Sequence, residues 1–296
     1  MNKKTICFFI LVSGFSFGCA SSRPQLARIA DEIHSAERKH DIATINTLAA
    51  SISTVDLAPK RMTKYSDEEL RLLYSALRKA AFYSPDDEEY VARQELVFNE
   101  KLRRGKAEEE DVERMVSAFL SARMFERART LKSRYPKMEL PDIPETITGN
   151  APQSALWQAY AVSNGGKTIE LKALPLSSGS KIVVVISPGC GAMESAMKSI
   201  LSDPELAPFF RTNGTMITRR SDFAGAEDVG EQFGFPEVYV VHKSQDFPGL
   251  WLQSSPYLYF LKDGKILYSL RGWSDENNSA HPKKEIRKGL TLIGLM

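Results

Sequence analysis

The sequence predicts an α+α/β chain in two domains: helical hairpins first, then an α/β sandwich. Three observations predict it. Apolar residues recur at helical spacing through residues 26–136. Pro136 then ends that pattern, and Pro141, Pro144, Gly149 and Pro152 fall within residues 137–164, which read as a semi-stiff linker. From residue 165 to 296 the period changes, and β-branched runs alternate with helical stretches. The 296 residues, 43% hydrophobic and 26% charged, are ordinary globular composition and suit about two domains.

The first residues stand apart from that fold. Lys3 and Lys4 precede an apolar run over 5–17 that is shorter than the ~20 residues needed to span a bilayer. Gly18-Cys19-Ala20-Ser21-Ser22 follows. A short apolar run ending at a small residue and a cysteine resembles the bacterial lipobox, with two departures: Ser16 stands where Leu is usual, and Phe17 is bulky. The resemblance implies a signal peptide over 1–18, acylation of Cys19 and a short tether over 19–25. It also implies a membrane anchor through lipid. Ala20, rather than Asp, after the cysteine resembles the outer-membrane sorting pattern, so the expected location is the cell envelope, facing the periplasm. The alternative is a plain secretory signal with an incidental cysteine.

Export also fixes the cysteine inventory. Of the three cysteines, Cys7 leaves with the signal, Cys19 is consumed by the lipid and Cys190 is left alone. The mature chain then has no internal disulfide, although it enters an oxidising compartment. With Lys3 and Lys4 removed, the 39 basic residues fall to 37 and balance the 37 acidic ones. There is no basic stripe with interleaved aromatics, so nucleic acid is excluded as a partner, and envelope proteins are expected instead.

In the helical domain, residues 26–39 and 42–53 are the first two helices. Ser66-Asp67-Glu68-Glu69 is a capping box, and Leu70, Leu73, Tyr74, Leu77 and Ala81 form one apolar stripe behind it. Ser84 and Pro85 read as N-cap and first turn of the next helix, which Gly105 closes. Glu108 to Asp111 place negative charge at another helix start, where the dipole favours it. Val112, Met115, Val116, Phe119 and Leu120 follow at helical spacing, then a turn near Arg123 and a last helix over 125–135. The stretch from Phe119 to Ala128 weakly resembles the junction of a tetratricopeptide-type repeat. An irregular helical bundle fits the same pattern.

In the second domain, residues 168–173 alternate as a strand, and Ile182-Val183-Val184-Val185-Ile186 is a run suited to a strand buried on both faces. Ser187-Pro188-Gly189-Cys190 interrupts it, and helical spacing resumes at Met193, Ala196, Met197 and Ile200. A helix over 204–211, a strand over 215–218, a helix over 227–233 and a strand over 237–242 come next. Ser255-Pro256 precedes a strand, and Asp263-Gly264 marks a hairpin into 266–270. Residues 283–295 are a closing helix.

This order, with Cys190 where a buried strand turns into a helix, Pro256 opening the hairpin and Gly272 trailing it, resembles the thioredoxin-like fold over residues 165–296. The resemblance implies that Cys190 is the attacking thiol and that Ser255-Pro256, at the family's cis-proline, is the edge that docks substrate. A thiol at a helix start also faces free amides and the positive dipole end. The departure is equally specific. Met193 stands where the family's second cysteine would be, and Gly189 stands where an aromatic residue is common. A methionine cannot resolve a mixed disulfide, so release requires an outside thiol.

Three readings of Cys190 follow: a monothiol that forms mixed disulfides or a sulfenic acid, a degenerate domain used for binding, or a soft-metal site. Cys190, Met193 and Met197 share one helix face, with His242 elsewhere, and thiolate with thioether suits Cu(I). A methionine stripe at that spacing is more commonly core. No cofactor is implied. His34, His40 and His281 read as solvated, Trp157, Trp251 and Trp273 as packing residues, and Asp222 and Glu227 as carboxylates without partners.

Overall fold

The structure, a computed structural model, describes residues 23–84, 86–150, 155–273 and 280–296. The signal peptide, Cys19 and most of the tether lie outside the described residues, as does Pro85. Among the described residues no helix is long and apolar enough to cross a membrane.

Seven helices come first: α1 (Arg23–Arg38), α2 (Ile42–Ala50), α3 (Pro59–Met62), α4 (Asp67–Tyr83), α5 (Glu88–Arg103), α6 (Glu109–Ser121) and α7 (Phe125–Ser133). The Ser66/Glu69 capping box is formed and starts α4, whose stripe of Leu70, Leu73, Tyr74, Leu77 and Ala81 is buried. At α5 the sequence expectation needs correction. Its N-cap is Asp87, whose carboxylate accepts from the Glu89 amide, and not Ser84, whose hydroxyl donates to Asn46 at 2.9 Å. Helix α1 packs on α2, α4 on α5, α5 on α6 and α6 on α7, and their lengths are unequal, 17 residues in α4 and nine in α7.

The remaining chain builds one eight-stranded mixed sheet: β1 (Thr146–Gly149), β2 (Gln158–Ser163), β3 (Thr168–Ala173), β4 (Ser180–Val185), β5 (Gly214–Thr218), β6 (Val238–Val241), β7 (Tyr257–Lys262) and β8 (Lys265–Arg271). Its order is β1-β3-β2-β6-β5-β4-β7-β8. Helices α8 (Gly191–Leu201) and α9 (Ala207–Asn213) join β4 to β5, α10 (Phe223–Phe233) joins β5 to β6, and α11 (Ala280–Leu292) closes the chain. Strand β4 runs parallel to β5 and antiparallel to β7, which turns into β8. This is the order of elements that a thioredoxin-like domain requires, in an α+β chain.

Two strands occupy the stretch read as linker. β1 is an exposed edge strand parallel to β3, and β2 is buried between β3 and β6. The turn from β2 to β3 uses Asn164, Gly165 and Gly166, all with positive φ. A Cβ on Gly166 would stand 2.5 Å from the Ala224 backbone nitrogen, so glycine alone lets α10 approach that turn.

The run Ile182-Val183-Val184-Val185 is buried on both faces of the sheet, as its composition requires. Ile182 and Val184 join a cluster with Met193, Met197, Phe210, Phe233 and Ile286 from the helices. Val183 and Val185 join a second cluster with Ile217, Tyr259, Phe247 and Leu252. That second cluster contains no residue of any helix, so the sandwich is asymmetric. Helices cover one face, while the connections after β3 and β6 cover the other. The β6–β7 connection forms only a 3-10 turn at Ser244–Asp246, because Pro248, Gly249 and Pro256 interrupt it.

The first cluster also runs without a break into the helical half, from Leu26 through Leu140 to Tyr160. Arg123, at φ 60° in the α6–α7 turn, fastens this junction. Its guanidinium donates to the carbonyls of Leu120, Val241 and His242. Phe125 stands edge-on to Tyr160 at 6.2 Å. Burial pulls the Arg123 pKa down to about 10, which leaves it charged at neutral pH.

Candidate functional site

Ile186 follows strand β4, and its amide still bonds the Ile217 carbonyl at 2.8 Å. Ser187-Pro188-Gly189 then turns the chain, with the Cys190 amide donating to the Ser187 carbonyl at 3.1 Å. Gly189 has φ +72°, a conformation that disfavours side chains, which gives a backbone reason for its glycine. Cys190 is the N-cap of α8 in extended conformation, and its carbonyl accepts from the Glu194 amide at 3.0 Å. Its side chain makes no capping bond to the helix.

The thiol points instead across the sheet end. Cys190 Sγ donates to the Ser255 carbonyl at 3.6 Å, and the Ser255–Pro256 peptide is cis. The Pro256 carbonyl accepts from the Gly272 amide at 2.8 Å, tying the hairpin's trailing glycine to the same corner. The structure thus brings together the three residues singled out from sequence, Cys190, Ser255 and Pro256. Cys190 is half-buried, and it is the free cysteine of the described residues. The Ser255 hydroxyl oxygen is buried without a partner.

A cleft of about 370 Å³ opens beside the thiol. Six of its lining residues were missed by sequence reasoning, among them Arg219, Arg220 and Phe82. The arginines had a signal. They follow β5 directly, and ligands in parallel sheets collect at the carboxyl ends of strands. Phe82 had none, since it arrives from the end of α4 in the helical half. It is 44% exposed. Arg219 Nη1 donates to the Phe82 carbonyl at 2.8 Å, and its guanidinium lies 5.2 Å from the Phe82 ring. Burial first, and Arg220 beside it second, lower the Arg219 pKa to about 10.

The methionines behave as core. Met193 and Met197 are 0% exposed, and neither lines the cleft. His242 is engaged elsewhere, with Nδ1 3.0 Å from Asp246 Oδ2 and its ring edge-on to Tyr160. The arrangement therefore does not gather Cys190, His242 and the thioethers around one point. Among the described residues no cluster of three His, Cys, Asp or Glu side chains is present.

Other residues depart from the sequence expectation. Asp222 has a partner, because its carboxylate caps α10 by accepting from the Gly225 amide at 2.9 Å. Glu227 accepts from the Gly166 amide at 2.9 Å and so holds the β2–β3 turn. His34 is half-buried with Nδ1 unpartnered, and burial lowers its pKa. Trp251 is 41% exposed rather than packed.

No family model matches the chain. No curated protein matches it. Among solved structures, a thioredoxin-like protein from Bacteroides caccae is similar at 13% identity, over 83% of this chain and 93% of that one, with a TM-score of 0.31. The likeness is distant, and the fold assignment rests on the strand order around β4 and on the meeting of Cys190 with the Ser255–Pro256 corner.

Proposed function

We propose that the chain is a lipid-anchored cell-envelope protein whose single thiol, Cys190, exchanges with disulfides of envelope clients. The observation that carries this reading is a half-buried thiol at a helix start, uncommitted to capping, that meets the Ser255 carbonyl and lines an open cleft. The Cys190 thiolate attacks one sulfur of a client disulfide. That S–S bond breaks, a Cys190–client disulfide forms, and the other client sulfur leaves as thiolate. The Cys190 proton goes to solvent. With Met193 buried at the position of a resolving thiol, the mixed disulfide waits for an external thiol, whose attack restores Cys190 and carries the client away as a new disulfide.

Ser255-Pro256 is the docking edge in this reading, and Cys19 carries the lipid. Ala20 after that cysteine supports an outer-membrane location facing the periplasm. One observation favours a second reading, a non-catalytic binding protein: Phe82 of the helical half lines the thiol cleft, so both halves offer one continuous surface.

Capture of adducts from cells on non-reducing gels separates the two. Exchange predicts adducts that depend on Cys190 and collapse with dithiothreitol. If Cys190→Ser retains the same partners, the binding reading replaces it. Labelled palmitate incorporated into the chain and lost in Cys19→Ser tests the anchor, and a secreted, unlabelled product would remove it.

A further inference from the structure

The cleft beside Cys190 carries charge of one sign. Arg219 and Arg220 both line it, and no Asp or Glu does. Arg219 is committed to the Phe82 carbonyl and ring. The nearby Asp86 carboxylate is likewise committed, accepting from the Ser244 amide at 2.6 Å, although its field still favours the Arg219 charge. Arg220 differs. Its backbone amide donates to Thr218 Oγ1 at 3.1 Å, and its exposed guanidinium has no carboxylate partner among the described residues. The start of α8, with Cys190 as an N-cap that makes no side-chain capping bond, adds positive potential of the same sign. A cleft of about 370 Å³ has room for a short peptide segment or a small peptide-like molecule.

We propose that this cleft selects disulfides that carry carboxylates close to the sulfur, with Arg220 as the specificity-determining residue and half-buried Arg219 as the support that fixes its strand end. The proposal rests on the reading of Cys190 as an exchanging thiol. Cys190 attacks the sulfur on the carboxylate-bearing side, the S–S bond breaks, and the leaving thiolate departs as the Cys190 mixed disulfide forms. Arg220 attracts the carboxylate before attack and retains it afterwards. The recognised chemistry is the same whether the source is a small tripeptide disulfide or an acidic segment of a client protein.

The test compares rates of modification at Cys190 in the full chain, read by peptide mass. The probes are glutathione disulfide, which is anionic, 2-hydroxyethyl disulfide, which is neutral, and cystamine, which is cationic. An acidic peptide disulfide forms a fourth arm. A simple cysteine peptide supplies the intrinsic rate ratios. A change in thiol reactivity moves all the rates together, so only the ratios report the charge of the cleft. At low ionic strength the anionic-to-cationic ratio is expected to exceed that of the reference peptide by about tenfold or more. It should collapse in about 0.5 M salt and invert in Arg220→Glu. Faster reaction of glutathione disulfide assigns the small-molecule source, and faster reaction of the acidic peptide assigns a client segment. A wild-type ratio no larger than the reference, or one unmoved by Arg220→Glu, overturns the proposal while leaving exchange intact. A Cys190 inert to every probe removes the exchange reading and the proposal with it.

Discussion

The two halves of the molecule treat their charges in opposite ways. In the helical half, the buried charges of Arg93, Glu100, Lys101 and Asp111 all meet opposite charges. Lys101 and Asp111 meet with side chains only 8% exposed, and Asp111 also accepts from the Glu108 amide at the start of α6. Glu100 is held by Arg103 and Arg104, and Arg104 reaches on to the Tyr65 and Met62 carbonyls. In the sheet, the central strands are apolar on both faces, and the charges nearest the thiol stand at the strand ends without carboxylates. A charge that meets its partner inside the protein acts on stability, whereas a charge kept unpaired at a cleft remains available to something from outside. On the proposed reading, the same residue types serve structure in one half and recognition in the other.

The largest expected effect tests the structural side. Removing one partner of a buried pair leaves the other charged and desolvated, which costs about 3–5 kcal/mol. Lys101→Met should lose that much in urea unfolding, because Asp111 keeps only a backbone donor and the α5–α6 contact loses its clamp on Tyr74, over whose ring the ammonium sits at 5.0 Å. Arg220→Ala, by contrast, should stay within about 0.5 kcal/mol of the parent. Equal losses in the two variants would break the comparison.

A smaller effect is expected from pH. Hydrogen bonds from Arg103, joined by Arg104, hold the Glu100 carboxyl at about 2 in the folded chain, below its ordinary 4.5. Its folded pKa is depressed, so the stability it contributes is complete above about 4.5 and is lost as the pH falls towards 2. The urea midpoint of the parent should drop across that window more steeply than that of Glu100→Gln. Parallel profiles would show that the arginines hold Glu100 no better than water does.

What the sequence made legible follows the range of the interactions involved. The capping box at Ser66, the doubly buried run at Ile182–Val185 and the hairpin at Asp263-Gly264 are local patterns, and each is found where its residues predict. The meeting of Cys190 with Ser255 and Pro256 is not local. It followed from the resemblance of the whole element order, because no spacing in the chain brings those residues together. Strand β2 was hidden for a different reason. Gln158-Ala159-Tyr160-Ala161 lacks a β-branched run and sits just after Pro152, although Asn164-Gly165-Gly166 carried a hairpin signal that marked its end. The asymmetry of the sandwich depended on the β6–β7 connection forming no helix. Phe82 was beyond reach, since its place in the cleft depends on how the helical half docks through Arg123 and Phe125.

The smallest effect compares two helix starts within the sheet domain itself. Both α8 and α10 begin just after a parallel strand, β4 and β5 respectively, and each has a polar side chain at its N-cap. Asp222 uses that side chain to satisfy the Gly225 amide, and such caps contribute about 1 kcal/mol. Cys190 makes no such bond and holds only a long thiol contact to a carbonyl. Asp222→Ala should therefore lower stability by about 1 kcal/mol, and Cys190→Ala by less than about half of that, both read as shifts in urea midpoint at constant slope. The inequality matters more than either value. A position that contributes little to folding while facing an open cleft is free to serve exchange. If Cys190→Ala instead costs as much as Asp222→Ala, the thiol is a packing element of the strand end, and the binding reading gains the ground that the exchange reading loses.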